Sequence, residues 1–160
     1  MPSGHFDEKG RAVMVDVSGK APTLRTAVAS AVIRMSPEAL KEVIEGRAAK
    51  GDVLAVARLA GITAAKKTSD LIPLAHPLAI HSVSIDFTTD PESGTIRVEG
   101  KVRALERTGV EMEAMVAVSI AALAVYDMCK GMDRRIAIGD IVLEYKEGGK
   151  SGVFRRGDRP

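Results

Sequence analysis

The sequence predicts an α+β fold in which an antiparallel sheet carries helices on one face, and three observations predict it. Apolar residues recur at period two in four stretches and at helical spacing in the stretches between them. The resulting order is strand, helices, strand, strand, helix, strand. The hexapeptide "TDPESG" at 89–94 has the turn chemistry that joins the middle two strands as a hairpin. This is the split βαβ, or ferredoxin-like, arrangement, with one extra helix in the first crossover.

Each element has its own signal. Residues 27–35 place Ala27, Ala29, Ala31, Ile33 and Met35 on one face of a strand. "SPEALKEVIEG" reads as a helix with Ser36 as N-cap, Pro37 at the first position and Gly46 at the end, burying Leu40, Val43 and Ile44. Asp52 caps a longer helix that runs to about Lys67. Val83, Ile85 and Phe87, then Ile96, Val98, Val102 and Ala104, form the inner faces of the hairpin strands. Residues 110–130 form the strongest helix and 136–146 the last strand, where the apolar phase slips from Ile138 to Ile141 and predicts a bulge near Gly139 and Asp140. The centre of the 110–130 helix, "AMVAVSIAALAV", is apolar or small all the way round. A helix lying on one sheet keeps a polar outer face, so a partner subunit is expected to cover this one.

Composition narrows the function classes. The 160 residues fit one domain, 1–160, with polar, glycine-bearing ends at 1–12 and 152–160 expected to be flexible tails. With 23 basic against 21 acidic residues, no dedicated nucleic-acid or membrane-surface binder is expected. A base-stacking RNA-binding sheet is also disfavoured by only three Phe and two Tyr. Cys129 is the single cysteine, which excludes a disulfide framework and fits a cytoplasmic setting. The start of the chain has no apolar signal-peptide core, and the longest apolar run, 114–125, is short for a bilayer span.

Near the carboxyl end, "KEGGKSGVF" copies the tail of a phosphate-binding P-loop. Its first glycine would fall at Glu144, and no helix-forming segment follows Ser151, so the P-loop reading fails. A polyphosphate could instead be held by separate charges from Arg25, Lys50, Lys146 and Lys150. Asp127 and Lys130 are three apart on one helical face, after an apolar run, and suit acid–base chemistry if the lysine is desolvated. Glu111 and Glu113 mark the opposite end of that helix. Glu113 and Asp127 are 14 residues apart, about 21 Å at about 1.5 Å per residue, so two antiparallel copies would be needed to bring them together. "LIPLAHP" presents His76 on a proline-stiffened loop. His76 and His81 lack metal-ligand spacing, and no structural metal is expected.

Taken together, "MVDVS", "KGDV", "LIPLAHP", "TGVEMEA", "YDMCK" and "GGKSG" resemble the molybdenum cofactor biosynthesis protein C (MoaC) family of cyclic pyranopterin monophosphate synthases. The six motifs stand in the family's order and span nearly the whole chain. The resemblance implies a homo-hexamer, a trimer of dimers, with active sites between subunits. It implies conversion of a 3′,8-cyclised dihydro-GTP to cyclic pyranopterin monophosphate with release of pyrophosphate. By motif, Asp127 and Lys130 are the catalytic pair. Leu74, Ala75, His76, Met112 and Glu113 contact substrate, Lys50, Glu111 and Lys146 line the pocket, and Arg25 and Lys150 assist. No redox cofactor is implied, and a magnesium ion accompanying the triphosphate is compatible with it. The alternative is a nucleotide-binding regulatory module without chemistry.

Overall fold

A computed structural model describes residues 4–158. Five strands and four helices follow one another as β1 (Thr23–Arg34), α1 (Pro37–Ile44), α2 (Val53–Ala65), α3 (Thr68–Leu71), β2 (Ser82–Asp90), β3 (Thr95–Glu106), α4 (Glu111–Cys129), β4 (Ala137–Glu147) and β5 (Phe154–Arg155). The strands form one antiparallel sheet in the order β2-β3-β1-β4-β5. The first four strands therefore have the ferredoxin-like order, with the helices on one face.

The alanine-rich β1 is central because its small side chains leave room for α4. Ala27, Ala29, Ala31 and Ile33 are fully buried on the helix-facing side. Ala29 pairs with Gly100, which pairs in turn with Ile85, so the middle of the sheet is a shallow trough. Val118 of α4 fills it: a Cβ on Gly100 would lie 2.9 Å from its Cγ1.

α2 lies beside α4 through small residues, with Ala57, Gly61 and Ala64 facing Ala117 and Ala121. A Cβ on Gly61 would come within 2.9 Å of the Ala117 carbonyl oxygen. Gly61→Ala should therefore lower stability by about 1 kcal/mol, since the clash outweighs a helix-propensity gain of about 1 kcal/mol. Gly61→Val should cost more. Urea midpoints of the two variants check this, and a stabilised Gly61→Ala would show that the helices can separate freely.

Ser36 and Asp52 cap their helices, accepting from the amides of Ala39 and Ala55. Leu40 and Val43 are buried, but Ile44, expected to be buried with them, is the last residue of α1 and is 47% exposed. In β4 the expected bulge is present, with Asp140 at φ +52° opposite Ala31. A second bulge at Glu144 turns that carboxylate to the open face of the sheet, where it accepts from Ser30 (2.6 Å) and Arg97 (2.8 Å). The residue at the false P-loop's first-glycine position is thus a strand-to-strand tie.

The outer side of α4 is covered in part from within the chain, by α2. The other part stays open: Met112 and Leu123 on α4 are exposed, as are Val56 and Leu59 on α2. By length and composition α4 could cross a bilayer, although the run 114–125 alone is short for that. Half of it is buried against the sheet and α2, the position of a core helix. Within the expected tails, Phe6 bridges Ala12 and β5 pairs with Tyr145 and Lys146. Residues 1–3 and 159–160 of those tails lie outside the described residues.

Candidate active site

The two ends of α4 carry two separate clusters. At its carboxyl end Lys130 Nζ lies 2.6 Å from Asp127 Oδ1, one helical turn away. Lys50, brought in by the turn before α2, donates to the Asp127 carbonyl at 2.8 Å and lies 3.7 Å from its carboxylate. The hydrogen bond from Lys130, that ammonium's charge and then the Lys50 charge hold Asp127 below the usual carboxylate range. The same hydrogen bond raises Lys130. Desolvation was the condition for a lowered lysine pKa, and it is not met within one chain, where the Lys130 side chain is half exposed. Here it is an ammonium that Asp127 holds in its protonated form.

At the amino end of α4 two adjoining cavities share Lys20, Thr108, Gly109 and Glu111. The larger, about 730 Å³, is lined by five cations, Lys20, Arg25, Arg107, Lys146 and Lys150, and by one carboxylate, Glu111. Lys146 leaves β4 on the helix side of the sheet, 3.2 Å from Glu111, and donates to Ser151 at 2.7 Å. Arg25 is held at the end of β1 by two carbonyl oxygens, of Glu106 and Arg107, each at 3.2 Å. Those contacts cancel none of its charge. One acid against five cations leaves a strongly positive cleft of a size suited to a polyphosphate chain.

"GGKSG" forms one wall of this cleft. Gly148 and Gly149 both have φ in the left-handed region, and a Cβ on Gly149 would collide with the Arg25 guanidinium. The two glycines let the chain turn back across Arg25 and place Lys150 and Ser151 at the rim. The next element is the strand β5, not a helix, so this loop presents side-chain charges and lacks the helix terminus of a P-loop.

The smaller cavity, about 350 Å³, is lined by Leu74, Ala75, His76, Met112 and Glu113, together with His5, Val15 and Val17 from the amino-terminal segment. Glu113 is 4% exposed. Burial, with the Glu111 charge adding to it, pushes its carboxyl up to about 7, against the opposing pull of its own backbone amide. It can therefore hold or release a proton near neutrality.

All ten residues named as substrate contacts, apart from Lys50, line one cavity or the other. Lys50 belongs instead with Asp127 and Lys130. Lys20 and Arg107 were missed in the sequence because they sit in loops without periodicity. Their one available signal was position: Lys20 lies two residues after "MVDVS" and Arg107 directly before "TGVEMEA". A single chain does not unite the two clusters, which lie about 21 Å apart along α4 at about 1.5 Å per residue.

The MoaC family model matches residues 14–149. The chain is 67% identical to a protein of Geotalea uraniireducens and 70% identical to one of Pelobacter propionicus, each over 156 residues and 98% of both chains. It is 56% identical to one of Heliobacterium modesticaldum over 155 residues. All three relatives are named cyclic pyranopterin monophosphate synthase.

Proposed function

The chain belongs to the MoaC family, and from that premise we propose that it converts 3′,8-cyclised dihydro-GTP to cyclic pyranopterin monophosphate, releasing pyrophosphate. The observation that carries the reading is the adjacency of a five-cation cleft and a cavity with a buried carboxyl at the start of α4. The first suits the triphosphate and the second the guanine-derived ring. Lys20, Arg25, Arg107, Lys146 and Lys150 neutralise the triphosphate and, later, the departing pyrophosphate.

The chemistry opens the nitrogen-bearing five-membered ring, closes a pyrazine ring, and forms a cyclic phosphate by breaking the bond to the pyrophosphate. Protons must move on and off nitrogen and oxygen at each stage. Lys130 gives and retakes them, and Asp127 orients it and stabilises its ammonium form. Lys50 steadies Asp127. For these groups to reach the ring, they come from a second subunit whose α4 runs antiparallel across a two-fold axis. The exposed Met112 and Leu123 supply apolar surface for that contact. A hexamer built as a trimer of such dimers, working in the cytoplasm, completes the proposal. It includes no redox cofactor. A second subunit would also desolvate Lys130 and draw its pKa back toward neutrality, as a group that both gives and retakes protons requires.

Incubation of the purified protein with cyclised dihydro-GTP should release pyrophosphate and a pyranopterin. A protein that binds the nucleotide and releases neither product is the regulatory module, and the synthase reading is then wrong.

A further inference from the structure

The wall that "GGKSG" gives the larger cavity has little structure of its own. Between Glu147 and Phe154 run six residues, of which Gly148, Gly149 and Gly152 have φ in the left-handed region. Glycine loses the most conformational freedom on ordering, so this loop is costly to hold in one shape. Within it, the Gly152 amide donates to the Gly149 carbonyl at 3.3 Å. The loop's shape is therefore set at its two ends. One end is β4, whose Lys146 donates to Ser151 at 2.7 Å. The other is β5 at the edge of the sheet, two residues long, and a strand of that length is marginal by itself.

Two arginines seat β5. The Arg155 guanidinium lies 4.8 Å from the centre of the Tyr145 ring, within cation–π range. The Arg156 amide donates to the Glu144 carbonyl at 2.8 Å. Arg156 Nε then donates to the Leu143 carbonyl, also at 2.8 Å, so a side chain carries the contact one residue further along β4. Both arginines are exposed, and neither is among the residues lining the two cavities.

We propose that Arg156, assisted by Arg155, is a positioning residue for the larger cavity. By fastening β5 to the outer edge of β4 it holds the 148–153 loop across Arg25, with Ser151 on Lys146 and Lys150 at the rim, so that the cleft meets its polyphosphate ligand already shaped. That this ligand is the nucleotide triphosphate rests on the reading given above; the fastening does not. A cleft shaped in advance spends no binding energy on ordering the loop, and a loop seated only part of the time lowers apparent affinity by that fraction.

The test compares Arg156→Ala with Arg156→Gln in the full chain. The glutamine amide nitrogen falls where Nε stood and can donate to the Leu143 carbonyl, but it carries no charge. Both changes are at the surface and leave the core intact. Without ligand, hydrogen exchange read by mass spectrometry should be about fivefold faster over residues 153–156 in Arg156→Ala, the effect of one lost net hydrogen bond, and near wild type in Arg156→Gln. Equal exchange in wild type and Arg156→Ala would overturn the fastening. Titration calorimetry with tripolyphosphate should give a Kd raised about threefold or more in Arg156→Ala and restored in Arg156→Gln. KM for the cyclised nucleotide should rise by the same factor with kcat kept, since the loop holds ground state and transition state alike. Equal weakening in both variants would mean that Arg156 acts by its charge alone. Wild-type affinity in Arg156→Ala would mean that the loop keeps its shape without β5, and either result overturns the positioning role. If wild-type protein neither binds tripolyphosphate nor turns over the nucleotide, the triphosphate reading fails while the exchange result still judges the fastening.

Discussion

Equal mixing of Glu113→Ala and Lys130→Ala protein, under conditions of subunit exchange, is expected to restore about a quarter of wild-type activity to two inactive preparations. Lys130→Ala alone should lower kcat by about 10³-fold, within the range for a positioned acid or base. The restoration follows from where α4 puts its charges. Glu113 is in its first turn and Asp127 and Lys130 are at its end, about 21 Å apart at about 1.5 Å per residue. If each site takes one end from each of two antiparallel chains, a mixed dimer has one site with both residues intact and one with neither. Random pairing makes about half the dimers mixed, and half of their sites are whole, hence about one quarter. If one chain supplied both residues, every site in the mixture would lack one of them and activity would stay at the level of the single variants. That result would require α4 to bend or the substrate to span both clusters.

The sequence showed this division before the structure did, because a helix converts residue spacing into distance. It also showed the capping residues Ser36 and Asp52, the hairpin and the bulge at Asp140, each of which depends on local chemistry or on the phase of apolar residues along a strand. Glu144 left no such trace. Its bulge is stabilised by Ser30 and Arg97, which are remote in sequence. The partner subunit inferred from the apolar α4 was in part α2, since two small-residue faces can pack at close range inside one chain as well as between chains. Arg25 was legible only as one of several separate cations suited to a polyphosphate. Its fixing by two carbonyl oxygens, and the glycines that pass over it, depend on how β1, β3 and the end of β4 come together.

Glu113→Gln should be as stable as wild type at pH 4 and about 2 kcal/mol more stable at pH 8. The sign follows from the direction of the shift. Glu113 titrates near 7 when folded against an ordinary value of 4.5, so between those values the folded chain binds a proton that the unfolded chain has lost. Stability contributed by that proton is fully present below 4.5 and is lost as pH rises through about 7. Above that, wild type holds a buried anion that glutamine never forms. The full shift corresponds to about 3.5 kcal/mol at about 1.4 kcal/mol per pH unit, and relaxation around the charge reduces it. Urea unfolding at fixed protein concentration, at both pH values, measures the difference; curves that stay parallel would mean that Glu113 is solvated in the assembled protein. The same proton links stability to activity. If the protonated carboxyl is the donor to the ring, wild-type kcat/KM should fall as pH rises past about 7. Glu113→Gln, which keeps an N–H donor, should show no such fall and stay within about tenfold of wild type at neutral pH. If activity requires the anion instead, the variant loses activity at every pH and the wild-type profile rises through the same region, which would make Glu113 a base and not a donor.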